Sequence, residues 1–245
     1  MKAVILAGGK GARLAPYTKI IPKPLMPIGD MPILEVLLRQ LKAAGIEDVI
    51  LTVGHLAGLL RAFFNDGHEL GLNIMYSYEK EPLGTAGPLG VINNLDETFL
   101  VMNGDVLTSL DLLDLIDFHK KNRSVATIAM HRRTVPIDLG VIQYDGENRI
   151  MGYLEKPTME YMVSMGIYVF EPSILAYIRP KEYLDFPDLV HKLLGHREKV
   201  VGFPFNGYWQ DLGRPDDYEQ ASQDFDTMRS IFLKEEVVYV ESPVS

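Results

Sequence analysis

The chain opens MKAVILAGGKGARLAPYT, residues 1–18, and the reading of this stretch decides the fold. KAVIL, residues 2–6, is a short apolar run with β-branched content that soon stops at glycine, which predicts a buried strand. Gly8, Gly9 and Gly11 then bracket Lys10, and Arg13 follows two positions after the last glycine. Glycine admits positive φ and lets several backbone N–H groups converge on an anion, while Lys10 and Arg13 can add positive charge. The spacing fits neither a P-loop, since no Gly-Lys-Ser/Thr follows, nor the dinucleotide fingerprint GxGxxG. Glycines alone serve a plain tight turn equally well, so the anion reading depends on what accompanies them.

Outward from this stretch, PILEVLLRQLKAAG at 32–45 places apolar residues at helical spacing and ends on glycine, DVILTVG at 48–54 reads as a second buried strand, and LAGLLRAFF at 56–64 reads as a second helix. Alternation of strand and helix predicts a parallel sheet covered by helices. Further strands are expected at 73–78, 98–102, 125–131, 140–144 and 166–170, with an amphipathic helix at 110–122. Tyr144, Asp145, Gly146, Glu147 and Asn148 lie between two short β-like runs and predict an inserted hairpin. The fold class is therefore α/β: a Rossmann-like three-layer sandwich with a mixed, mainly parallel central sheet and an inserted β-hairpin region. One domain is expected over residues 1–228. A tail follows at 229–245, whose VVYV reads as either an edge strand or a mobile end.

Composition narrows the function classes. The 245 residues carry 24 basic and 33 acidic side chains, a net charge of -9, which supplies no basic face for nucleic acid. No run is long and apolar enough to span a bilayer, and the N-terminal apolar run is too short for a signal-peptide core, so a cytoplasmic protein without a membrane partner is expected. The chain has no cysteine, hence no disulfide, zinc knuckle or thiol nucleophile, in keeping with a reducing compartment.

Other residues stand out by position. Pro22 and Pro24 flank Lys23, stiffening the backbone, denying it helix and holding the lysine at a fixed place. Asp105 follows the apolar FLVM, at the carboxyl edge of the expected sheet where ligands bind in open α/β folds, although a lone Asp there is more often a cap or turn residue. Asp211 in YWQDLG has the same ambiguity. Glu155 and Lys156 in LEKP are adjacent; on a strand they would face opposite ways and not pair with each other. The six histidines, His55, His68 and His119 among them, show no metal spacing, the methionines are scattered, and Trp209 reads as packing.

Six ordered blocks carry a resemblance: AGGKGARLAPYT with PKPLMPI, EPLGTAGPL at 81–89, NGD at 103–105, LEKP at 154–157, SMGIYVF at 164–170 and GYWQDLG at 207–213. Together they make the chain similar to the sugar-1-phosphate nucleotidyltransferases, whose usual form is GGxGTRL…PKP. In that family the phosphate of a sugar 1-phosphate attacks the α-phosphorus of a nucleoside triphosphate and pyrophosphate leaves. The resemblance implies that Gly8, Gly9 and Gly11 cradle the triphosphate and that Arg13 and Lys23 meet the phosphates at the reacting centre. It implies nucleotide contacts at Leu6, Leu83, Gly84 and Asn103, with Gly84 permitting close approach of the base. Sugar-phosphate contacts are implied at Gly140, Glu155, Lys156 and Ser164, and a magnesium ion on Asp105 and Asp211.

PLGTAGPL resembles the guanylyltransferases acting on mannose 1-phosphate more than the thymidylyl branch, so GTP is the favoured donor. Uridylyl, cytidylyl or thymidylyl transfer on the same fold, or a regulatory subunit that binds nucleotide without turnover, are the alternatives. Departures bear on the sugar. Ser164, Met165 and Gly166 replace the usual Asn-Ala-Gly, Ala12 replaces Thr, and Leu139 stands where an aromatic often lies. Loss of the amide at 164 and added bulk at Met165 argue for a heptose or an amino sugar beside mannose. The sequence carries no signal for oligomeric state beyond the general prevalence of homodimers.

Overall fold

A computed structural model of the chain describes residues 1–233; the VVYV segment lies outside the described residues. The chain begins with β1 (Lys2–Leu6), whose glycine-rich exit leads to a two-residue ribbon of β2 (Pro27–Ile28) and β3 (Met31–Pro32). Next comes α1 (Ile33–Ala43), on which Ile33, Leu34, Val36, Leu37, Leu38 and Leu41 are all buried. Gly45, at φ 73, ends it: its N–H bonds to Lys42 O, and Ile46 N–H reaches back to Leu41 O at 2.9 Å, closing a Schellman turn. β4 (Asp48–Val53), α2 (Ala57–Phe64) and β5 (Asn73–Tyr78) complete the first half.

The second half opens with β6 (Phe99–Asn103), β7 (Val106–Thr108) and α3 (Leu112–Asn122), whose N-cap Asp111 accepts from Leu113 N at 2.9 Å. Then come β8 (Ala126–Pro136), the hairpin β9 (Val141–Tyr144) and β10 (Ile150–Leu154), and β11 (Thr158–Phe170). Asp145 shapes the hairpin turn by accepting from Glu147 N and Arg149 N at 2.9 and 3.0 Å. The chain finishes with α4 (Phe186–Gly195), β12 (Val200–Phe205), β13 (Trp209–Asp211) and α5 (Pro215–Phe232). The 228/229 boundary falls inside α5, and Phe232 is buried against Phe225 and Tyr208.

The central sheet has seven strands in the order β12-β8-β11-β6-β1-β4-β5. Only β11 runs against the others, so the sheet is mixed and mainly parallel. Alternation sets its two faces: Ala3 and Ile5 pack with α1, α2 and α3 on one side, Val4 with α4 on the other. A third apolar cluster joins α5 to the β2–β3 ribbon, Ile33, Val36, Leu107 and Leu212. The strand order reverses at β1, between β4 and β6, and such a reversal opens a crevice at the strand carboxyl ends. The loop after β1 and the turn after β6 meet there, with Gly104 N–H donating to Leu6 O at 2.9 Å.

β8 and β11 are far longer than the runs at 125–131 and 166–170 predict, because both continue as a two-stranded arm beyond the sheet, from which β9 and β10 branch. A register shift between Ser164 and Tyr168 marks a bulge where the arm leaves the sheet.

His119 on α3 is 1% exposed and bonds Thr127 at 2.8 Å and Glu171 at 3.0 Å, with Ser124 at 3.3 Å. It ties α3 to β8 and to the residue that follows β11, a buried structural role. His119→Ala strands these buried partners; it is expected to cost about 2 kcal/mol, a fall of roughly 4–8 °C in Tm by thermal denaturation.

Candidate active site

The loop after β1 is built by its own backbone. Gly11 sits at φ 60, where a Cβ would come within 2.9 Å of Thr18 Cγ2 and 3.3 Å of Lys23 Cβ, and its carbonyl accepts from Thr18 Oγ1 at 2.8 Å. Only glycine fits there. A Cβ on Gly8 would meet Glu79 Oε1 at 2.8 Å, whereas one on Gly9 would meet nothing within 4 Å. Gly9 is thus the loop glycine whose lack of side chain serves open space rather than packing. Lys10 points into solvent, outside the cleft lining.

Lys23 is the electrostatic centre. Contrary to the reading that its prolines exclude helix, Lys23, Pro24 and Leu25 form one 3-10 turn, because proline is tolerated in a first turn whose N–H groups need no partner. The lysine is 7% exposed, and its ammonium donates to Asp105 Oδ2 and lies 3.8 Å from Asp211 Oδ1. The two aspartates, far apart in sequence, meet because β13 pairs antiparallel with β7, Asp211 opposite Val106, and Leu212 N–H donates to Asp105 O at 3.0 Å. Arg13 joins them: a Cβ on Gly213 would lie 3.1 Å from Asp211 Oδ1 and 3.2 Å from Arg13 Nη2. Burial, then the like charge of Asp105, pushes the Asp211 carboxyl above its usual range, with Lys23 and Arg13 opposing. Two carboxylates brought together by backbone that fixes their separation form an oxygen donor set suited to a hard divalent cation. Leu6, Gly9, Gly11, Arg13, Lys23 and Asp105 share one cleft of about 270 Å³ with Gly104 and Gly213.

The base-side expectations fall beside this cleft. Leu83 N–H donates to Glu79 Oε2 at 3.2 Å, and Glu79 Oε1 is the atom nearest to a Cβ on Gly8, so one carboxylate links the two loops. Burial raises the Glu79 pKa. Sequence reading passed over this residue; its place just before the EPLGTAGPL block was the available signal. Gly84, at φ 78, answers to the fold: a Cβ would come within 2.5 Å of Leu184 O, the acceptor for Ala86 N and Gly87 N. Close approach of a planar base is not needed to explain it. Asn103 ends β6 with its amide against Gly166, where a Cβ would lie 2.4 Å from Nδ2.

The remaining expected sugar-phosphate residues lie outside the cleft lining. Glu155 and Lys156 occupy a bend between β10 and β11 rather than a strand, Lys156 at φ 43, because the LEKP proline ends the ladder. Gly140 precedes β9, its missing Cβ filled by the Tyr153 hydroxyl. Ser164 donates to the Tyr168 hydroxyl and accepts from Gly166 N at the bulge. Met165 is fully buried in the core and accepts from Trp209 Nε1 at 3.0 Å through its carbonyl, so it adds no bulk beside a sugar; the bulge turns it inward. Among the described residues no group of three metal-ligating side chains occurs, and no helix is long and apolar enough to cross a membrane.

A family model described as nucleotidyl transferase matches residues 2–227. The chain belongs to the nucleotidyl transferase family. It is 39% identical over 232 residues to a mannose-1-phosphate guanylyltransferase of Mycobacterium tuberculosis, covering 91% of this chain and 64% of that one. It is 37% identical over 243 residues to a UTP–glucose-1-phosphate uridylyltransferase of Synechocystis, covering 90% and 62%. The chain thus spans somewhat less than two thirds of the length of these curated relatives. Among solved structures, a putative glucose-1-phosphate thymidylyltransferase from Bacillus anthracis superposes with a TM-score of 0.74 at 25% identity, over 91% of this chain and 94% of that one.

The loop geometry separates its glycines. Gly9→Ala is expected to leave Tm unchanged and weaken binding of a nucleoside triphosphate about tenfold or more by calorimetry. Gly11→Ala is expected to lose roughly 1–2 kcal/mol of stability from the left-handed backbone alone.

Proposed function

We propose that the chain transfers a nucleotidyl group from a nucleoside triphosphate to a sugar 1-phosphate, releasing pyrophosphate. The observation that carries this reading is the convergence of Arg13, Lys23 and Asp105 on one cleft beside an open glycine loop, with Asp211 3.8 Å from the Lys23 ammonium. Both reactants are anions, so the work of the site is to hold them together and to neutralise charge as the phosphoryl oxygens develop it. Gly8, Gly9 and Gly11 offer backbone N–H groups to the triphosphate. Arg13 meets its phosphates from the rim, and Lys23, released from one carboxylate, meets the α-phosphate. In a direct displacement the sugar phosphate oxygen bonds to the α-phosphorus as the bond to pyrophosphate breaks, with no covalent enzyme intermediate. Asp105 and Asp211 would hold magnesium, which when bound supplies Lewis-acid polarisation of the phosphate oxygens. Glu155 and Lys156 would take the sugar hydroxyls and sugar phosphate. A cytoplasmic setting belongs to the same proposal.

The base is proposed to be guanine. Ionised Glu79 can only accept hydrogen bonds, and guanine presents adjacent N–H donors on one edge, where uracil and thymine flank a single donor with carbonyl oxygens. The guanylyltransferase named above supports the same choice, while the uridylyltransferase keeps UTP as the second reading. Burial of Met165 removes one objection to mannose, so mannose 1-phosphate is proposed as the acceptor.

Pyrophosphate release with magnesium, measured for five nucleoside triphosphates against mannose, glucose, glucosamine and heptose 1-phosphates, tests the reaction. GTP with mannose 1-phosphate is expected to lead, and folded protein that binds nucleotide yet turns over no pair would sink the proposal. Asp105→Ala is expected to lower kcat by about 10²–10³-fold. Glu79→Gln is expected to cut the preference for GTP over UTP about tenfold or more. In the parent protein that preference should weaken as pH falls through the raised Glu79 pKa, since protonation replaces an acceptor with a donor. An unchanged base preference in Glu79→Gln would remove guanine from the reading.

A further inference from the structure

The opening stretch ends on Thr18, a residue 3% exposed, outside the cleft lining and without a role in the chemistry described above. Its hydroxyl donates to Gly11 O at 2.8 Å, and that carbonyl also accepts from Leu14 N at 2.9 Å. The Leu14 bond closes the 3-10 turn Ala12–Leu14 with the poorer geometry of i to i+3 bonding, so the hydroxyl supplies a second restraint on one peptide. Thr18 is itself seated by a neighbouring 3-10 turn, Tyr17–Lys19, in which Ile20 N–H donates to Tyr17 O at 3.2 Å.

What this restraint does follows from the donors around it. Among the described residues, the backbone N–H groups of residues 8–13 have no protein acceptor; Ala7 N–H before them bonds Thr52 O, and Leu14 N–H after them bonds Gly11 O. Such a run suits an anion when the carbonyls between the donors turn elsewhere, because a carbonyl oxygen aimed at a phosphate repels it. In the trans peptide joining Gly11 to Ala12, C=O and N–H point in opposite directions. Drawing the Gly11 oxygen back to Thr18 drives the Ala12 N–H the other way, and Ala12 lines the cleft with Gly9, Gly11 and Arg13. We propose that Thr18 is a positioning residue: its hydroxyl turns the Gly11 carbonyl out of the cleft so that the Ala12 N–H meets a phosphate oxygen of a nucleoside triphosphate. The identity of that ligand rests on the nucleotidyl-transfer reading; the turned carbonyl does not. Packing gives Thr18 a second, separable part, since a Cβ on Gly11 would meet its methyl, Cγ2, at 2.9 Å.

Two substitutions separate hydroxyl from methyl. Thr18→Val keeps the branched shape and removes the donor; Thr18→Ser keeps the donor and removes the methyl. GTP binding by calorimetry, with UTP in parallel, is expected to weaken about tenfold in Thr18→Val, the loss of one hydrogen bond to a charged group, and to stay within about threefold of the parent in Thr18→Ser. A residue that only packs would give the reverse order. The Ala12 amide proton should move downfield when triphosphate is added to the parent, and move less in Thr18→Val. Equal affinity in Thr18→Val and parent, a Thr18→Ser as weak as Thr18→Val, or an Ala12 amide unmoved by bound triphosphate would each overturn the inference. Parent protein that binds neither GTP nor UTP would instead overturn the proposed activity and take this positioning role with it. Should Thr18→Val fail to fold, the Ala12 amide of the parent decides alone.

Discussion

A lysine that is almost fully buried must be paired, and the pairing of Lys23 with Asp105 and Asp211 is the constraint around which the rest is arranged. Its ammonium reaches the two carboxylates only if three separate stretches arrive together: the Pro22–Pro24 turn, the turn after β6, and β13 laid along β7. The reversal of strand order at β1 supplies the place. Parallel strands ending on one edge, with successive crossovers leaving in opposite directions, open a gap that the glycine loop fills. Desolvation by the surrounding loops keeps Asp211 reluctant to ionise, while Lys23 and Arg13 pull the other way. A cation placed against the two carboxylates would oppose the burial and like charge that hold Asp211 back.

Much of this was legible in the residues and some was not, for reasons that can be named. β1, α1, β4, α2 and α3 are written in period and punctuation: apolar runs closed by glycine, or apolar residues at helical spacing. The outer halves of β8 and β11 escaped because runs such as RRTVP and TMEYM mix exposed charged and apolar residues instead of burying one face. α5 escaped as well: only Ala221, Phe225 and Phe232 of its eighteen residues are buried, too sparse a stripe to betray the helix beneath its acidic surface. At the candidate site, motif order singled out Arg13, Lys23, Asp105 and Asp211, which the fold brings near one another. No local pattern could report that Met165 turns inward at a bulge, or that Gly84 exists for the Leu184 carbonyl. Glu79 was missed for a related reason. Its importance lies in touching two loops at once, and contact is not a property of a single position.

The three loop glycines show how one letter can hold different physical meanings. Gly11 is demanded by backbone angle and by Thr18, Gly8 borders only the movable end of Glu79, and Gly9 meets nothing inside the protein. Similar contrasts run through the methionines and tyrosines. Met165 is core, whereas Met151 and Tyr144 stand 70% exposed on the arm. The sequence treats these alike; the fold does not. The arm also carries Glu155 and Lys156 at its inner bend, so whatever steadies the arm sets how firmly those two side chains are held.

The short β7–β13 ladder has a consequence for the birth of the protein. Asp211 and Asp105 are neighbours only through those three paired rows, and the segments between them include α3, the arm and α4. A chain emerging from the ribosome can form β1, α1 and β4 early, from local contacts, yet it holds no complete cluster until β13 has been synthesised and docked. Until then the chain holds Lys23 and Asp105 without Asp211, and the cluster is completed only as the sandwich closes.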